Sequence, residues 1–269
     1  MRAPKTVTGT GFNPRGGPQG GNNWAPRLAI LVKCRANPLC IATTMTNMTK
    51  TIERVYGSTE PTKAVIWLHG LGATADDFVP VIPHLGLSQT AAIRFVFPQA
   101  PSRAITINNG YVMPGWYDIK GMDLTDKEDL PGMQSSRAIV ENLVDAQIAA
   151  GIASHNIALA GFSQGGAVAY YTGIRSGRKL AGILALSTYL PFVSDAAREH
   201  TRVNLEAPIL AMHGNRDPVV PISAGKQSAN ALAALGYKVE WREYAMEHNV
   251  IPEQLGDIGR WLNNIFTDK

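Results

Sequence analysis

From residue 51 onward, short apolar runs alternate with amphipathic stretches. "KAVIWLH" (63–69), "IRFVFPQ" (93–99), "NIALAGF" (156–162), "LAGILALST" (180–188) and "PILAMHG" (208–214) are mostly or wholly apolar. Runs of this length without polar alternation suit strands buried on both faces of a sheet. "TIERVYG" (51–57) and "KVEWREY" (238–244) are more polar and read as further strands. "SSRAIVENLVDAQIAAG" (135–151) has helical period: Ile139, Leu143, Ala146 and Ala150 share a face, and Gly151 stops the helix. Further helices are predicted from Gln164 to about residue 176, near 222–235, and at about 252–266. Residues 76–85 predict a short helix weakened by Pro80 and Pro83. Residues 102–132 have neither period and read as a long loop, a feature that in compact domains is usually functional or disordered. Strands and helices in alternation give an α/β fold: one mainly parallel sheet with helices on both faces.

The first 48 residues break that rhythm. "GTGFNPRGGPQGGNNWAPR" has no period and reads as a disordered or non-native leader. Met45 and Met48 stand just before the first ordered segment, so the expected division is a leader (1–48) and a catalytic domain (49–269). The leader also biases the charge. Residues 1–50 hold seven of the 25 Lys/Arg and none of the 21 Asp/Glu, so the formal +4 hides a mildly acidic domain. A nucleic-acid partner is therefore not expected. The leader is Arg-bearing and acid-free, as transit peptides are, but composition alone does not separate targeting from a bland start. Its apolar segment, 28–32, is cut short by Lys33 and Arg35, which fits neither a secretory signal nor a membrane span. Cys34 and Cys40 make no disulfide framework and no zinc-like cluster, which points to a reducing, cytoplasmic compartment.

Candidate chemistry sits where strands end. "GFSQG" (161–165) is G-x-S-x-G between a predicted strand and a predicted helix, the context of a nucleophile elbow. There Ser163 would stand in a strained turn, with the Gln164 amide aimed where an oxyanion forms. A serine hydroxyl needs a base, and the base needs an orienting carboxylate, in the chain order Ser, acid, His. Asp217 follows the strand 208–214, and His248 follows the strand 238–244. Asp195 is the rival acid. His213 and His69 also end strands, and they read as packed or loop-shaping residues. "HGLG" (69–72) offers the Leu71 amide as the second oxyanion donor. "GLGATA" (70–75) also matches a dinucleotide fingerprint, but "IRFVFPQA" ends without the acidic residue which that site requires. In the segment 105–118, Ile107, Met113, Trp116 and Tyr117 are expected to wall the acyl side, with Ile105, Tyr189 and Leu190 nearby. The alternative is that these side chains cap the core.

Taken together, "HGLG", "GFSQGGA" (161–167), "LSTYLP" (186–191), "HGNRDPVVP" (213–221), the "MEH" turn (246–248) and "NNGYVMPGWYDI" (108–119) resemble the acyl-protein thioesterase/carboxylesterase family of α/β-hydrolases. The resemblance spans about residues 50–267, and "LSTYLP" is more similar to the bacterial carboxylesterases. It departs at Ala73 and Asn249, where the family often has Asp and Ser. It implies an α/β-hydrolase fold, ester hydrolysis by Ser163, Asp217 and His248, no cofactor and no metal. The expected activity is a serine carboxylesterase on short- to medium-chain esters. The alternative is an acyl-protein thioesterase or lysophospholipase. A small-molecule ester partner, no stable membrane insertion, and a monomer or homodimer complete the expectation.

Overall fold

The computed structural model describes residues 50–57, 60–88, 91–121 and 127–267. The leader and both cysteines lie outside the described residues. A seven-stranded sheet carries the domain, in the order β1-β3-β2-β6-β7-β8-β9. Its strands are β1 (Thr51–Tyr56), β2 (Lys63–Leu68), β3 (Ile93–Pro98), β6 (Ile157–Phe162), β7 (Gly182–Leu186), β8 (Ile209–Gly214) and β9 (Val239–Tyr244). Only β1 runs antiparallel, against β3. The apolar runs are explained by burial on both faces. Ile66, Leu68, Leu159 and Ile183 point into one core cluster; Val65, Trp67, Ala160 and Leu184 point into the other. Helices α1 (Leu130–Ala149) and α2 (Gln164–Arg175) contribute to the first cluster, and α5 (Pro252–Ile265) to the second.

The chain moves from β2 outward to β3, then returns to β6 on the other side of β2 and continues outward to β9. The loops after β2 and β6 therefore diverge at a topological switch point, where open α/β sheets form their ligand crevice.

Three expectations are corrected. Residues 102–132 are not one loop: β4 (Ser102–Ile105) and β5 (Tyr111–Pro114) pair as an antiparallel hairpin, and α1 begins at Leu130. The buried face of α1 is Met133, Ser136, Val140, Val144 and Gln147; of the expected face, Ile139 and Leu143 are partly buried and pack against the first core cluster, while Ala146 and Ala150 are exposed. Two of those buried residues are polar and have partners, which disguised the stripe: Ser136 bonds the Trp116 carbonyl, and Gln147 accepts from Arg94. The segment 76–85 forms a six-residue 3₁₀ helix, Val79–His84, after a run of turns. No helix therefore starts on "GLGATA" to receive a dinucleotide phosphate. Helix α3 (Val193–Glu199) was not expected, whereas α4 (Ile222–Ala234) matches the helix expected near 222–235.

Candidate active site

Ser163 joins β6 to α2 with φ 54° and ψ −121°, a left-handed conformation that costs a non-glycine residue of order 1–3 kcal/mol. The strain is held from both sides. The Ser163 amide donates to Leu186 O at 2.8 Å, and the Thr188 hydroxyl donates to Ser163 O at 2.7 Å. Close packing leaves no room for side chains beside it. A Cβ at Gly161 would lie 2.3 Å from the Gly165 main chain, and one at Gly165 would lie 2.4 Å from Leu68 O.

Asp217 stands in the turn after β8. Its Oδ1 accepts the Val219 and Val220 amides at 2.8 and 2.9 Å, leaving Oδ2 to face His248 Nδ1 at 2.7 Å. The Asp217 carboxylate is fully buried, and these three donors offset the cost of burying a charge. Because Nδ1 faces the carboxylate, it carries the proton and Nε2 of His248 is left as a base. The His248 ring packs on Phe162, the residue before Ser163, with centroids 4.7 Å apart. Asp195 sits elsewhere, on α3, paired with Arg198 at 2.8 Å. The structure thus brings Asp217, not Asp195, against His248.

His213 is packed, as expected. Its Nε2 donates to Val220 O at 2.8 Å, its ring stacks on Trp241, and it steadies the turn that carries Asp217. Burial pushes its pKa below the ordinary 6.5. His69 shapes the loop after β2. Nδ1 donates to Gly70 O at 2.7 Å, and Nε2 accepts the Ala100 amide at 3.0 Å. Acceptance at Nε2 requires a neutral ring, and burial again lowers its pKa.

Leu71 follows in that loop, and its amide has no hydrogen-bond acceptor among the described residues. Gln164 is the first residue of α2, so its amide has no acceptor within the helix. The near-contact of Gly165 with Leu68 O and His69 O brings the two loops together.

The expected acyl wall divides. Ile107 and Met113 are partly exposed, and Met113 Sδ lies beside Gly72. Trp116 is completely buried, with Nε1 donating to His69 O at 2.8 Å. Tyr117 is buried too, and its hydroxyl meets that of Tyr189 at 3.0 Å. Both side chains are buried and their polar groups have buried partners. The side chains of Gln164, Thr188 and Ser136 were missed, because only their contacts across the sheet give them a role. Among the described residues, no group of three or more His, Cys, Asp or Glu is placed to hold a metal. No described helix is long and apolar enough to cross a membrane.

A parallel sheet with a strained serine between β6 and α2, and a carboxylate–imidazole pair carried by the loops after β8 and β9, defines a hydrolase of the α/β-hydrolase fold. The phospholipase/carboxylesterase family model matches residues 50–266, and the chain belongs to that family. It is 36% identical to acyl-protein thioesterase 1 of Gibberella zeae over 214 residues, covering 76% of this chain and 91% of the relative. Among solved structures it is similar to acyl-protein thioesterase 2 of Zea mays, with TM-score 0.71 and 27% identity, covering 81% of this chain and 99% of that one. It is also similar to a phospholipase/carboxylesterase from Dyadobacter fermentans, with TM-score 0.58 and 27% identity, covering 81% and 97%.

Proposed function

We propose that the chain hydrolyses acyl thioesters, S-acylated protein among them, and related carboxylic esters through an acyl-enzyme on Ser163. The observation that carries this reading is the 2.7 Å Asp217–His248 contact packed beside a serine held at φ 54°. In this scheme Ser163 Oγ attacks the acyl carbonyl carbon as His248 Nε2 takes its proton. The carbonyl oxygen becomes an oxyanion that accepts from the Leu71 and Gln164 amides. The intermediate collapses by breaking the bond to sulfur or oxygen, and the leaving thiol or alcohol receives the proton from His248. Water then repeats the steps, with His248 as base, and releases the carboxylic acid and free Ser163. Asp217 holds the Nδ1–H tautomer and stabilises the imidazolium.

Thioesters are placed ahead of simple carboxylic esters because of the relatives. The fungal thioesterase is 36% identical over most of both chains; among the solved structures the plant thioesterase and the bacterial carboxylesterase both stand at 27%, with TM-scores of 0.71 and 0.58. The deciding experiment compares kcat/KM on an S-octanoyl cysteine peptide and on its O-octanoyl serine counterpart. A ratio well above that of their hydroxide-catalysed hydrolysis supports the thioesterase reading. A ratio at or below it returns the assignment to a carboxylesterase.

A further inference from the structure

The Leu71 and Gln164 amides leave different strands, β2 and β6, and their separation must be set by something that crosses between the two loops. One buried network does so. The Gln164 side chain accepts the Trp116 amide at Oε1 and donates Nε2 to Tyr117 O, each at 2.7 Å. The Trp116 indole then donates to His69 O at 2.8 Å, two residues before Leu71. Just upstream, Pro114 O accepts the Gly72 amide at 2.8 Å, one residue after Leu71. Ser136 of α1 donates to the Trp116 carbonyl, and His69 is pinned at both ring nitrogens. Trp116 is 0% exposed, His69 2% and Gln164 3%, so water does not compete for these bonds.

We propose that the segment 114–117, clamped by the Gln164 side chain and the Trp116 indole, is a splint that fixes the spacing and direction of the two oxyanion amides. Trp116 and the Gln164 side chain are then positioning residues, and the β4–β5 hairpin serves to deliver Trp116 to the Gln164 side chain. The inference rests on the oxyanion role assigned above to Leu71 and Gln164. Its physical basis is that such donors act by being preorganised: they must already lie about 2.7–3.1 Å from where the oxyanion will form. A splint matters to the transition state and hardly to the ground-state carbonyl. A Trp116 that merely fills the core would affect stability alone.

The test uses Trp116→Phe, which keeps a ring and removes the indole donor, and Gln164→Met, which keeps the shape and removes both side-chain bonds. For each, kcat, KM, melting temperature and the affinity of an acyl trifluoromethyl ketone, which forms a tetrahedral adduct on serine, are measured. The splint predicts that kcat falls about tenfold to a hundredfold while KM stays within about twofold. Affinity for the ketone should fall by the same factor as kcat/KM. The double variant should be little worse than the weaker single one, because one splint is broken once. Unchanged kcat in a folded variant, or single losses that multiply, would overturn the splint. If Trp116→Phe does not fold, Gln164→Met decides alone; failure of both to fold would make the network structural and overturn the proposal. Ser163→Ala separates the two levels. Activity surviving in Ser163→Ala sinks the proposed function, whereas Ser163-dependent activity indifferent to both splint variants sinks only the splint.

Discussion

Replacing Gly165 with alanine tests how the elbow is built. Gly165 lies in the first turn of α2, and a Cβ there would fall 2.4 Å from the Leu68 carbonyl oxygen and 2.5 Å from that of His69. Both are main-chain atoms, so no side chain can rotate out of the way. Real Cβ contacts essentially never fall under 3.0 Å, so α2 or the loop after β2 must give by at least about 0.6 Å. Overpacking of this kind costs about 1–3 kcal/mol. The same shift separates Ser163 from the Leu71 amide, and misplacement on the ångström scale costs up to about a hundredfold in rate. Gly177→Ala is the matched control. Nothing lies within 4 Å of its Cβ position, and it should be neutral or stabilising by up to about 1 kcal/mol. Urea denaturation and initial-rate kinetics on a p-nitrophenyl ester read both effects. Gly165→Ala should lose about 1–3 kcal/mol and at least about tenfold in kcat/KM, and Gly177→Ala should lose neither. A Gly165→Ala enzyme with wild-type stability and rate would refute the close packing of α2 on the β2 loop.

Other outcomes follow from the same contacts. Asp217→Asn should fold and lose at least about a thousandfold in kcat, while Asp195→Asn stays within about twofold; the reverse pattern would move the acid to α3. His69 and His213 are held neutral by burial, with folded pKa values below 6.5, so the unfolded chain takes up protons that the folded chain refuses. Stability should be insensitive to them above about pH 6.5 and should fall below it, by at most about 1.4 kcal/mol per pH unit for each. Denaturation midpoints at pH 7.5 and 5.0 test this: His213→Asn should flatten the dependence, and an unchanged slope would contradict it. Thr188→Val removes one of two donors to Ser163 O, the other being the Ala167 amide, and should cost about 0.5–1.5 kcal/mol in a melting experiment; no loss would mean the elbow is held without it.

The sheet was legible because burial on both faces leaves a plain mark. Val65 and Trp67 face one core and Ile66 and Leu68 the other, so every position from Ala64 to Leu68 is apolar. The elbow was legible because close backbone contacts exclude side chains at Gly161 and Gly165. The acid could be picked by strand order, and the geometry sets Asp217 against His248. Other features depend on partners far along the chain. The α1 face was read only in part, through Ile139 and Leu143, because Ser136 and Gln147 are buried through bonds to Trp116 and Arg94, which periodicity does not register. The hairpin was missed because β4 and β5 are four residues each and β5 is largely exposed, too short for alternation to speak. The burial of Trp116 was not legible, because the sequence signals only an aromatic in a loop. Its place follows from one bond to a carbonyl 47 residues earlier.

The central claim is that the acyl group passes through Ser163. Rapid acid quench during turnover of a slow acyl thioester, followed by peptide mass spectrometry, measures this directly. One acyl mass should appear on the peptide containing Ser163, build up to at most one per chain and disappear as substrate is exhausted, and it should be absent from Ser163→Ala. Full turnover with no acylated Ser163, or acylation at another residue at a rate matching turnover, would contradict the account.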